Sequence, residues 1–235
     1  MELNILLTEV FLLMPGGVLS IHQVSKKLEI PYGTAYNRIH ELGRMGVVHI
    51  IPQGKAKLCT LNSDNPMTSA LLGLGAAQAT SHFLRDHAHM MNLVQRTTQV
   101  LEQRFRDTLH TAILLNADAL TPHGALRETP AEQTVSANAG EDPVSLDLFL
   151  VVSNPDAEEL EELEHAFVAA LPQYHHLKVT KMVVSPSTLS GMLEEKENDA
   201  GTAAFQMLRK GLLLTGFDRF YQIVLKAFRG NPFRT

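Results

Sequence analysis

The chain has 235 residues, 45% of them apolar and 19% charged, with a formal net charge of −5. That length suits one large domain or two small ones, and the apolar share is enough for a core, which excludes a disordered chain and a disulfide scaffold. Mild acidity excludes a protein coated in positive charge, but it leaves room for a small basic head on an acidic body.

Charge by segment has that form. Residues 1–62 carry six Lys or Arg against four Glu, net +2, and the remainder carries −7. Cys59 has no second cysteine to pair with, so a reducing, cytoplasmic setting is expected. The opening MELNILLTEVFLLMPGG has no basic start and places Glu2 and Glu9 in its apolar run, unlike a signal peptide. The longest uncharged run, Asn65 to Leu84, holds Pro66, Gln78 and His82 and is too polar to span a bilayer. No membrane partner is expected.

Residues 2–14 predict a helix, with Leu3, Leu6, Leu7 and Val10 at helical spacing, stopped by Pro15-Gly16-Gly17. Ser20-Ile21-His22-Gln23 fits a capping box, and Ile21, Val24 and Leu28 make the buried stripe of a second helix. After the tight connection Glu29-Ile30-Pro31, a third helix runs from Tyr32 to about Met45. It buries Ala35, Ile39 and Leu42 and turns Thr34, Asn37, Arg38, Glu41 and Arg44 outward. Residues 47–51 and 56–61 predict a β-hairpin around Pro52-Gln53-Gly54-Lys55. The whole is a winged helix-turn-helix, and LNSDNP at 61–66 breaks the chain after it.

The run LSIHQVSKKLEIPYGTAYNRIHELGRMGVV resembles the helix-turn-helix core of many prokaryotic winged-helix regulators. In such a unit the third helix enters the major groove of double-stranded DNA. Tyr32, Thr34 and Asn37 are then candidates for base or sugar contacts, and Arg38 for a guanine edge or a phosphate. Glu41 and Arg44 share that outer face, and Lys55 and Lys57 on the wing meet phosphates. So few cations bind weakly on one head, which argues for a homodimer whose two contacts multiply. The alternative is a winged helix that docks proteins.

Residues 63–108 predict two helices that link head to body and carry the dimer contact. Leu71, Leu72, Leu74 and Ala77 lead the first, and Met90, Leu93, Val94, Thr97, Leu101 and Phe105 mark the second. Leu72-Gly73-Leu74-Gly75 in this helical text predicts close helix packing. Strands follow at 109–115, 144–152 and 177–184, and helices at about 156–170, 187–195, 200–210 and 216–228, making an α+β domain over 109–235.

AILL, SLDLFLVVSN, KVTKMVVSPSTLSGML and RKGLLLTGFDRFYQIV, in that order, resemble the nucleotidyltransferase fold of the DNA polymerase-β-like superfamily. The resemblance implies a mixed sheet and, in active members, two carboxylates one residue apart on a strand, a third on its neighbour, and a Gly-Ser phosphate turn. Here Ser145 matches the first carboxylate position and Asp147 the second, while the Val179-Thr180-Lys181 strand offers none. Asn116-Ala117 stands at the Gly-Ser position, with Gly124-Ala125 as an alternative alignment. Glu128, Glu141 or Asp142 would have to fold inward to complete a site. The resemblance therefore implies a degenerate body for dimerisation or for sensing a small-molecule or nucleotide effector, with no cofactor. The alternative is an active nucleotidyltransferase using Mg with a nucleotide, Asp147 being the surviving ligand.

His82, Asp86 and His89 in SHFLRDHAH fall at i, i+4 and i+7 and are a candidate metal cluster on one helix. His175-His176 precedes a strand and is weaker, because adjacent strand residues face opposite ways. A solvated helix end explains the first set as well. Cys59 on the hairpin is read as a small buried hydrophobe.

Overall fold

The structure, a computed structural model, describes residues 2–12, 17–54, 56–120, 145–172, 177–194, 204, 207–208 and 210–227. The first unit contains α1 (Glu2–Leu12), β1 (Val18–Ser20), α2 (Ile21–Lys27), α3 (Tyr32–Arg44), β2 (Val48–Gln53) and β3 (Ala56–Leu61). Its three strands are antiparallel in the order β1-β3-β2. The capping box forms: the Gln23 amide donates to Ser20 Oγ at 3.2 Å, and the Ser20 amide donates to Gln23 Oε1 at 2.8 Å. Two backbone donors are thereby satisfied where α2 leaves β1. β1 itself has no counterpart in the sequence reading. Three residues are too few to show a strand period, and Val18–Ser20 becomes a strand by pairing with Leu58–Thr60.

The LNSDNP break serves as a clamp. Asn62 Nδ2 donates to the Gly46 carbonyl at 2.8 Å, and Asn65 Nδ2 donates to the Met45 carbonyl at 3.0 Å. Asn65 Oδ1 meanwhile accepts from the Met67 amide at 2.9 Å, capping the next helix. The end of α3 and the start of the body are thus fixed by one pair of side chains. Leu7, Phe11, Val24, Ile39, Leu42 and Cys59 fill the core of the unit.

The second unit contains α4 (Pro66–Asp86), α5 (Met91–Phe105), β4 (Leu109–Leu114), β5 (Ser145–Val152), α6 (Ala157–Ala170), β6 (Lys178–Val184), α7 (Pro186–Glu194), β7 (Leu212–Thr215) and α8 (Phe217–Ala227). The sheet order is β6-β5-β4-β7, with β5 and β6 parallel and the other pairs antiparallel. The chain is therefore mixed α and β, with one antiparallel and one mixed sheet. β5 is apolar almost throughout because both its faces are covered. Leu146, Leu148, Leu150 and Val152 share a core with α5 and α6. Phe149 and Val151 share the opposite core with α4, α7 and α8.

One element departs from the sequence pattern. Leu212–Thr215, expected between helices, is the edge strand β7. A four-residue apolar run has no period of its own, and its pairing partner β4 lies about a hundred residues earlier. The helices of segment 63–108 also cover both faces of the sheet. The Gly73 and Gly75 pair does permit close packing. A Cβ on Gly73 would sit 2.9 Å from the Asp218 amide of α8, and one on Gly75 would run into Glu9 and Ile5 of α1.

Candidate nucleic-acid interface

α3 presents its predicted faces. Ala35, Ile39 and Leu42 are buried, while Tyr32, Thr34, Asn37, Arg38 and Arg44 are exposed and Glu41 is half-buried. The β2–β3 hairpin brings Lys57 alongside. Lys55 lies outside the described residues, as do Glu128, Glu141, Asp142, Gly124-Ala125 and His175-His176.

The cations do not all stand free. Arg38 Nη1 donates to Glu41 Oε2 at 2.6 Å, and this hydrogen bond holds the Glu41 carboxyl below the ordinary carboxylate range. Lys57 Nζ donates to Tyr36 Oη at 2.9 Å and reaches His40 Nε2 at 3.1 Å, 4.7 Å from the Tyr36 ring centre. Burial, then the charges of Lys57 and Arg44, push the His40 imidazole below its usual value. A neutral His40 accepts from Lys57 through Nε2. Among the described residues Arg44 makes no ion pair.

Tyr36, His40 and His22 were not singled out from the sequence. The signal was the spacing Tyr32, Tyr36, His40, which falls on one helix flank. Their rings form a row with His22 of α2. The centroids are 6.4 Å apart for His22–Tyr32, 6.1 Å for Tyr32–Tyr36 and 4.3 Å for Tyr36–His40.

In the second unit Asp147 is half-buried on β5, opposite Thr180 of β6, with Ser145 opposite Lys178. Asn116 is tied to the start of β5. Its Nδ2 donates to the Ser145 carbonyl at 2.7 Å and its Oδ1 accepts from the Asp147 amide at 3.1 Å, pinning the start of β5. Lys181 lies across from Leu148 and turns to α6, where it donates to the Leu160 carbonyl and pairs with Glu164 at 3.4 Å. Among the described residues no three His, Cys, Asp or Glu side chains are placed to share a metal ion. That includes the expected His82, Asp86 and His89. His82 Nδ1 instead accepts from Arg85 Nη2 at 2.7 Å, and Asp86 lies 3.7 Å from Arg85 Nε.

Two further features lay outside the sequence reading. His110 Nε2 is 2.6 Å from Ser153 Oγ where β4 begins beside the end of β5. Burial, then Arg219, push this imidazole below its usual value. A groove of about 630 Å³ runs beside α4, α5 and β7, with Leu84, Val94 and Leu214 among its apolar lining and Gln95, Gln99 and Gln103 among its amides. Among the described residues no helix is long and apolar enough to cross a membrane. No family model, curated protein or solved structure matches the chain.

Proposed function

We propose that residues 1–62 form a winged helix-turn-helix and that the chain is a sequence-specific regulator of transcription acting on double-stranded DNA. The observation that supports this best is the outer face of α3. Its buried stripe anchors it to the first unit, while Thr34, Asn37 and Arg44 stand exposed beside a hairpin that carries Lys57. In this reading α3 lies in the major groove with Thr34 and Asn37 toward base edges, and Arg44 and Lys57 meet phosphates.

The body is read as a nucleotidyltransferase-like domain without its chemistry. Asp147 has Ser145 two residues away and Thr180 across from it, so the carboxylates a two-metal site requires are not gathered among the described residues. Its roles are dimerisation or effector sensing, and the groove beside α5, lined by Gln95, Gln99 and Gln103 together with Glu102 and Arg106, is the place for a small-molecule or nucleotide effector. Such a ligand regulates only by binding differently to DNA-competent and incompetent states.

The test is selection of bound duplex fragments from the source genome, repeated across a salt series. The expected result is enrichment of a short near-palindromic site that survives physiological salt. Weak binding without enrichment, vanishing as salt rises, overturns the reading.

A further inference from the structure

The row of rings on the flank of α3 is more than duplex readout requires. Base edges in a major groove are read by hydrogen bonding and by contact with the thymine methyl group. Aromatic faces serve a different ligand, the face of an unstacked base, and they do so with little regard to sequence. Three observations point that way here. Tyr32 is 51% exposed although it is large and apolar. The His22 and Tyr32 planes are inclined at 51°, and those of Tyr32 and Tyr36 at 41°. Rings so inclined do not lie face to face, so they do not seal one another's faces. Beyond them, Lys57 is held by Tyr36 and His40 at one place on the same flank. Its ammonium has three donors and two are engaged, which leaves one for an anion.

The row of rings leads to a positioned ammonium, Lys57 Nζ lying 4.7 Å from the Tyr36 ring centre and Tyr36 6.1 Å from Tyr32, so it offers a face for a base and a cation for a phosphate of the same strand. We propose that this ridge binds unpaired nucleotides, with a base on the exposed Tyr32 ring and a phosphate of the same strand on Lys57, so that the first unit holds single-stranded as well as double-stranded DNA. The proposal rests on the nucleic-acid reading of α3 and extends it to a second form of the polymer. It assigns Tyr36 a positioning role, since its hydroxyl orients Lys57 while Lys57 covers the ring.

The experiment uses the full chain and two fluorescent probes. One is an oligothymidylate of about 12 nucleotides, within the range of known single-strand sites, and the other is a blunt duplex fragment enriched by genomic selection. Binding is read by anisotropy for the native chain and for Tyr32→Phe, Tyr32→Leu, Tyr36→Phe and Arg44→Ala. Tyr32 is exposed, so its variants are expected to fold, and far-ultraviolet circular dichroism checks this. Stacking on one ring predicts that Tyr32→Leu weakens oligothymidylate binding about 5- to 150-fold. Tyr32→Phe should retain binding, and Tyr36→Phe should lower its salt dependence. Duplex binding should follow Arg44, and Tyr32→Leu should weaken it by a smaller factor than it weakens oligothymidylate binding. If the native chain binds the duplex but not oligothymidylate, or if Tyr32→Leu binds oligothymidylate like the native chain, the ridge proposal is overturned and the duplex reading stands. If neither probe binds, both are overturned.

Discussion

Glu41→Gln should tighten binding to duplex DNA. The substitution removes a negative charge from the outer face of α3 and releases Arg38, whose guanidinium is held at 2.6 Å by the Glu41 carboxylate. Of the described cations on α3 and the hairpin, Arg44 and Lys57 are then the two placed for phosphates in the native head, and the variant adds a third. Each phosphate contact steepens the logarithmic salt dependence by about 0.9, so a fourfold rise in salt weakens binding about 3.5-fold per contact. Between about 50 and 200 mM salt one native head should lose about 12-fold in affinity, and one Glu41→Gln head about 40-fold from a tighter start. The side chains of the pair keep 46% and 36% of their surface open to solvent, so breaking it should leave folding nearly unchanged. The assay is fluorescence anisotropy on an enriched duplex fragment at four or more salt concentrations, with Arg38→Ala and the double variant closing a cycle. The double variant should fall back to the native slope. A native slope that drops by about 0.9 on Arg38→Ala alone would place Arg38 on a phosphate already and refute the reasoning.

Lowering the pH through the folded His40 value, which lies below the ordinary 6.5, should tighten duplex binding, because protonated His40 adds a cation and no longer accepts from Lys57. His40→Gln should flatten that dependence. The same shift acts on stability in the opposite direction. The folded His40 value is lowered, so the unfolded chain takes up its proton first, and stability falls as pH drops from about 6.5 through the folded value; urea midpoints across that range check the sign. Cys59 is buried and its thiol is pushed up to about 11, so a maleimide should label it slowly in the native chain and quickly in urea. Gly216 has φ +71, and a Cβ there would run into the His110 carbonyl, whose carbon is 2.8 Å away. Gly216→Ala should cost about 2–5 kcal/mol from left-handed strain plus overpacking. Gly54, at φ +59 with nothing within 4 Å, should cost about 1–2 kcal/mol from strain alone. Equal costs in urea denaturation would mean that α8 does not start against β4.

What was legible in the sequence and what was not divide along a physical line. Ala35, Ile39 and Leu42, or Met90, Leu93, Val94, Thr97, Leu101 and Phe105, declare a buried face because helical burial repeats within the element itself. The Ser20–Gln23 box was legible for the same reason, since both partners lie within one turn. β1 and β7 were not, because Val18–Ser20 and Leu212–Thr215 become strands only through β3 and β4. Asn116 stands where the resemblance would put a Gly-Ser turn, and its role is not local either, since its amide spans to Ser145 and Asp147 across a long stretch of chain.

The candidate interface follows the same division, and there the consequence is functional. Sequence places Arg38, Arg44 and Lys57 near one face, but availability to a ligand is a property of neighbours. Arg38 is engaged by a residue one turn away, which the i, i+3 spacing to Glu41 already implied. Lys57 is engaged by Tyr36 and His40 across 21 and 17 positions, which no local pattern contains. Counting basic residues therefore overstates what the face offers to phosphate, and it misses that one cation is held in a fixed place. A fixed ammonium on the flank that also exposes the Tyr32 ring favours a ligand that carries both a charge and a base. That is why the single-strand probe and the Glu41 cycle are separate questions about one helix: the first asks about the flank that carries Tyr32 and Tyr36, and the second about the cations and the carboxylate that opposes them.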